Sequence, residues 1–88
     1  MQRKISETKG AKKKINDLGL WEEYKDTKKV FINTPNQKSI DLCKWERKHN
    51  IWSFKITKKI RVKFVFDKDK NEFVVYDAGD FHRRQPKN

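Results

Sequence analysis

Between Ile51 and Phe66 the chain alternates residue by residue: Trp52, Phe54 and Ile56, then Ile60, Val62, Phe64 and Phe66, are apolar, while Ser53, Lys55, Arg61 and Lys63 stand between them. Successive side chains of an extended strand point to opposite faces, so this pattern sets an apolar face toward a core and a cationic face away from it. Asp67-Lys-Asp-Lys-Asn71 then reads as a hairpin loop and Glu72 to Ala78 as the last strand, which makes the C-terminal half an antiparallel meander.

The N-terminal half has a different period. Ala11, Ile15 and Leu18 recur at helical spacing from about Glu7 to Leu18, with Ser6 or Thr8 available as a cap and Gly19 placed to end the helix. A second helix is expected from about Leu20 to Ile32, where Leu20, Tyr24, Thr27 or Lys28, and Phe31 share a stripe and Glu22, Lys25 and Lys29 face outward. Asn33-Thr-Pro35 stops it, and the short join at Gly19 folds the two helices into a hairpin. Residues 34–50 show no clean period and read as a connector anchored by Ile40, Leu42 and Trp45, while Met1 to Ser6 offers at most a short edge strand. The fold class expected is α+β: an N-terminal helical hairpin packed on one face of a three- to four-stranded antiparallel sheet. One domain over residues 1–82 is expected, followed by a basic tail over 83–88.

Composition narrows the partners. Lys and Arg number 23 against 12 Asp and Glu, a net charge of +11 in 88 residues, which calls for an anionic partner, nucleic acid first and an acidic protein second. With 34% hydrophobic and 40% charged residues the chain approaches disordered compositions, but 12% aromatic residues supply a core. Cys43, the only cysteine, allows no intramolecular disulfide, and neither it nor the two His has zinc-ligand spacing. No metal and no small-molecule cofactor is expected. With no apolar run of membrane-spanning length and no signal-peptide pattern, a soluble protein of the reducing cytoplasm is expected.

If the helices cover one face of the sheet, Lys55, Arg61 and Lys63 come together on the other, on strands about 4.8 Å apart. Clustered like charges cost stability unless an anion neutralises them, so the open face reads as a phosphate-binding surface. Lys12-Lys-Lys14 reads as a solvated helix face, or else as a contact for RNA backbone. Trp21, Trp45 and Trp52 read as core residues, with Trp45 also placed to stack on a base.

The helical hairpin, then Trp52-Ser-Phe-Lys-Ile56, then Ile60-Arg-Val-Lys-Phe64, then a last strand ending Asp77-Ala-Gly-Asp-Phe-His82, resembles the RelE/ParE toxin superfamily, and its YoeB branch most. The likeness runs from about residue 11 to 82. It implies the toxin of a type II toxin–antitoxin system: a metal-independent, ribosome-dependent endoribonuclease that cleaves mRNA during translation and is held by a cognate antitoxin protein. By position it implies Arg61 as the phosphate-contacting arginine, Lys55 as the basic residue on the neighbouring strand, His82 as general acid and Glu46 as general base. Lys48, His49, Lys63 and Arg83 join Lys55 as expected RNA and phosphate contacts. Where YoeB-like relatives end His-Tyr, this chain has His82-Arg83.

That chemistry needs a base for the 2′-OH proton, an acid for the leaving 5′-oxygen and cations for the phosphate. Glu46, His82 and Arg61 are the matching residue types, and the planar fork of Arg61 suits two phosphate oxygens. An Arg61 buried against the helices would exclude this scheme. Two rivals stand beside it: a ParE-like toxin that inhibits DNA gyrase by protein contact, and a non-catalytic basic RNA-binding module. The module would display aromatics on the open face, whereas the strand alternation sends most of them inward.

Overall fold

A computed structural model describes residues 4–33 and 40–81. Its elements, in chain order, are β1 (Ile5–Glu7), α1 (Lys9–Asp17), α2 (Trp21–Asn33), β2 (Cys43–Glu46), β3 (Ile51–Lys55), β4 (Arg61–Asp67) and β5 (Glu72–Gly79).

Thr8 starts α1: its backbone is extended and its hydroxyl accepts from the Ala11 N–H at 3.1 Å. The helix ends in a Schellman turn, with Gly19 N–H donating to Asn16 O at 2.9 Å and Leu20 N–H to Ile15 O at 3.1 Å. Gly19 has φ +70°, a value that costs a residue with a Cβ, so a glycine is what this elbow requires. Glu22 and Glu23 then occupy the first turn of α2, where their charge suits the helix dipole.

The sheet order is β1-β5-β4-β3-β2. Neighbours β2 to β5 are antiparallel, and β1 runs parallel to β5, with Ile5 opposite Phe73 and Glu7 opposite Val75. The β3-β4-β5 meander is the one expected. The total is not: the sheet has five strands and is mixed, rather than three to four and antiparallel. β1 realises the short edge strand allowed for Met1 to Ser6, at Ile5–Glu7, while β2 is unforeseen, and neither has a readable period. Three residues of β1 are too few to show alternation, and β2 is interrupted by a bulge at Trp45, between the pairs Lys44–Trp52 and Glu46–Ile51. What reads as connector from 43 to 46 is an edge strand.

A second bulge falls in β5. Lys63 pairs with Asp77 and Phe64 with Val75, leaving Tyr76 as the extra residue. Val75 and Ala78 are three apart, an odd spacing that would put them on opposite faces of a regular strand, yet both are buried in the core. The additional residue resets the alternation.

The core joins Ala11 and Ile15 of α1, Tyr24 and Phe31 of α2, Ile40, and the inward residues Phe54, Val62, Phe64, Val75 and Ala78. Phe31 is its hub, with ring centroids 5.3 Å from Phe54, 5.1 Å from Phe64 and 5.3 Å from Phe73. α1 lies chiefly on β5, whereas the aromatic rings of α2 reach Phe54 on β3 and Phe64 on β4. Trp21 and Trp52 pack at the margin of this core, as expected; Trp45 does not belong to it. No helix among the described residues is long and apolar enough to cross a membrane.

Candidate active site on the open sheet face

On the sheet face turned away from the helices, Arg61 opens β4 opposite Lys55 of β3 and Gly79 of β5. Its guanidinium is not presented to solvent. Nε donates to Ser53 Oγ at 3.2 Å, one terminal nitrogen to Asp41 Oδ2 at 2.9 Å, and the other to Asp41 O at 2.7 Å and Cys43 Sγ at 3.2 Å. The Arg61 side chain is 6% exposed and that of Asp41 36%. Asp41 reaches this position with φ +44°, the left-handed region that Asp tolerates better than most residues.

These contacts correct the expected picture of a solvent-facing arginine. Arg61 is buried, though among Asp41, Cys43 and Ser53 rather than against the helices. Its charge is balanced by Asp41, so it is not one of three unneutralised cations. Four of its hydrogen bonds stay within the protein, leaving at most one of the five guanidinium N–H donors for a ligand. The sequence gives little warning of this, because Asp41 lies in an aperiodic segment 20 residues away.

Lys63, two residues along β4, meets aromatic rings instead of a carboxylate. Its Nζ lies 4.9 Å from the Trp45 centroid and 4.1 Å from that of Phe81, and the two rings are 6.1 Å apart. The Phe81 ring rests on Gly79, where an added Cβ would approach to 3.3 Å. The alternation sends most aromatics inward, and these two are exceptions on the open face. The β2 bulge re-aims Trp45, and Phe81 lies beyond the strand pattern altogether.

Glu46 ends β2, exposed, and pairs with Nδ1 of His49 in the following turn. Glu46 lies three positions along the strand from Cys43, roughly 10 Å at about 3.3 Å per residue, so the carboxylate and the Arg61 network occupy different parts of the face. Lys48 is exposed in the same turn, which Asn50 closes with φ +54° and an N–H bond to Arg47 O at 3.1 Å. Tyr76, displaced by its bulge, lies within electrostatic reach of Glu46. Burial, with the Asp77 and Glu46 carboxylates adding to it, pushes its phenol above the ordinary range, so it stays a neutral hydrogen-bond donor. Tyr76 was not legible as a site residue, since the bulge that turns it shows only in the pairing. His82 and Arg83 lie outside the described residues, as does the tail. Among the described residues no cluster of His, Cys, Asp and Glu gathers to hold a metal.

The structure thus unites Arg61 with Lys55, and Lys63 with Trp45 and Phe81, and sets the Glu46–His49 pair at the far end of β2. Two helices lie on one side of a five-stranded mixed sheet, with polar groups and aromatics collected on the other, and this α+β fold is RelE-like. The chain is similar to the YoeB/ParE toxin from Agrobacterium tumefaciens, with a TM-score of 0.68 over 90% of this chain and 99% of that one at 15% identity. It is also similar to a chain of the archaeal RelE–RelB complex from Pyrococcus horikoshii OT3, with a TM-score of 0.71 over 96% and 100% of the two chains at 12% identity. No protein-family model and no curated protein sequence matches it.

Proposed function

We propose that this protein is the toxin of a toxin–antitoxin pair and that it acts as a ribosome-dependent endoribonuclease on translated mRNA. The observation that carries the reading is the fold, shared with a YoeB/ParE toxin and with a chain of a RelE–RelB complex over at least nine-tenths of this chain. The open face supports it with a carboxylate, lysines and exposed ring surface. Glu46, oriented by His49, accepts the 2′-OH proton; the 2′-oxygen attacks the adjacent phosphorus to give a cyclic phosphate; the P–O5′ bond breaks and the 5′-oxygen takes a proton from His82. Lys55 and Lys63 offset charge on the phosphate, Lys48 and Arg83 hold flanking phosphates, and Arg61 fixes the floor of the site through Asp41 and Ser53. A protein antitoxin is the second partner, in keeping with the second neighbour's description as a RelE–RelB complex.

Mapping mRNA 5′ ends in a translating extract tests this. New ends are expected with the wild-type chain, absent without ribosomes, and lost with Glu46→Gln or His82→Ala. The internal engagement of Arg61 favours a second reading, inhibition of DNA gyrase by protein contact, which requires no phosphate-binding arginine. Intact mRNA together with inhibited supercoiling would establish that reading and remove the first.

A further inference from the structure

The cluster formed by Trp45, Lys63 and Phe81 has no place in the core and no role in the proton transfers. We infer that it is a nucleobase-stacking site for single-stranded RNA, in which the Trp45 indole takes a base and the Lys63 ammonium takes the adjoining phosphate. The inference rests on the RNA-directed reading above and adds residues to it.

Three observations converge on this cluster. Trp45 and Phe81 remain part-exposed on the face opposite the core, although every other large ring of the sheet strands described here except Phe66 and Tyr76 packs with or beside the core. The β2 bulge falls at Trp45 itself, and bulges commonly re-aim a side chain beside a functional site. Gly79 lets the Phe81 ring lie against the strand backbone, so the ring forms a fixed backing for Trp45.

The occupant follows from charge and shape. Lys63 Nζ sits over both rings, within 5 Å of each centroid, so a cation and an aromatic surface share one site and the indole face turned from Lys63 is the one a base would take. This is the combination single-stranded nucleic acid requires, since every base has a π-face and every linkage a phosphate. The net charge of +11 favours such a polyanion over a neutral ligand. Glu46 follows Trp45 directly, so a base stacked on the indole brings its ribose toward the carboxylate proposed as base. Trp45 is thus a positioning residue for the cleavage reaction.

The test needs neither ribosome nor cleavage, and so fails or succeeds apart from the nuclease reading. The ¹⁵N-labelled full chain is titrated with a short 2′-O-methyl RNA, reading the three indole N–H resonances. The Trp45 resonance is expected to move, while those of Trp21 and Trp52, on the core side, hold still. Trp45→Leu, which keeps apolar bulk, is expected to weaken binding about tenfold, and Trp45→Phe, which keeps a ring, by about threefold or less. Binding absent altogether, an equal Trp45 shift from an abasic sugar-phosphate oligomer, an equal shift from a poly-glutamate peptide, or full affinity in a folded Trp45→Leu variant would each overturn the inference. The poly-glutamate result would mark the cluster as a protein-binding surface instead.

Discussion

Removing the Asp41 carboxylate leaves the Arg61 guanidinium, 6% exposed, without its counter-charge. Breaking a fully buried pair costs about 3–5 kcal/mol, but Asp41 is partly open to water, so Asp41→Ala is expected to lower unfolding free energy by about 2–3 kcal/mol in urea melts. Arg61→Ala removes the hydrogen bonds that Ser53, Cys43 and Asp41 accept from the guanidinium, so any loss of activity in that variant must be set against its melting curve before Arg61 is called catalytic. Tyr24 is the other polar group sunk in the core. Burial, and then the Glu7 carboxylate accepting from its hydroxyl at 2.6 Å, pushes its phenol far above the usual range. In the unfolded chain the same phenol ionises near pH 10. The folded state holds its proton where the unfolded state releases one, so this contribution is complete below about pH 10 and is lost as pH rises beyond it. Tyr24→Phe is expected to cost about 1 kcal/mol at pH 7, where Glu7 keeps its 2.8 Å bond to Lys28, and to flatten the alkaline end of the stability profile. Neither network was legible in sequence, because each joins residues 17 or more apart through side chains that local periodicity does not register.

Among the elements, α2 is held by one aromatic residue more than by any other. Phe31 touches Phe54, Phe64 and Phe73, rings drawn from three different strands. Phe31→Ala is expected to destabilise the fold by about 3–5 kcal/mol, and Phe31→Leu by much less; thermal denaturation of the two variants measures the difference. The stripe containing Tyr24 and Phe31 was plain in the sequence, as were the alternating runs of β3 and β4, since each repeats its period several times. The Gly19 elbow was equally readable, because a glycine just past a helical pattern has one common use. β1 and β2 were not, being short, and in β2 the bulge at Trp45 removes the alternation that identifies a strand. The same bulge concealed half of the candidate site. Glu46 could be picked by resemblance, but its neighbours Trp45 and Tyr76 acquire their positions from pairing irregularities that emerge only when the sheet is assembled.

For the whole molecule, internal ion pairs leave the net charge of +11 unchanged but decide which cations are open to a ligand. Lys13, Lys14, Lys28 and Arg61 are each engaged with a carboxylate of the same chain. Lys63 remains beside its rings, and Lys48 and Lys55 have no carboxylate partner within the described residues. If these three each neutralise one phosphate, the logarithm of the RNA association constant should fall with the logarithm of salt concentration at a slope of about −2, and Lys63→Ala should reduce that slope by about 0.7. Fluorescence titrations at several salt concentrations measure both. A slope near zero would show that the basic composition serves solubility and not RNA binding.

The parallel pairing of β1 with β5 bears on how the chain is made. Thr8 N–H donates to Val75 O at 2.9 Å and Phe73 N–H to Lys4 O at 2.8 Å, and α1 lies on the same last strand. During synthesis β1 and α1 emerge first and find no surface to join, since their partner is translated after β2, β3 and β4. A loop of more than 60 residues closes only when β5 arrives. The β2-β3-β4 part of the open face is joined by consecutive antiparallel pairs and needs no such wait, whereas the seat of β1 and α1 exists only once β5 has been made.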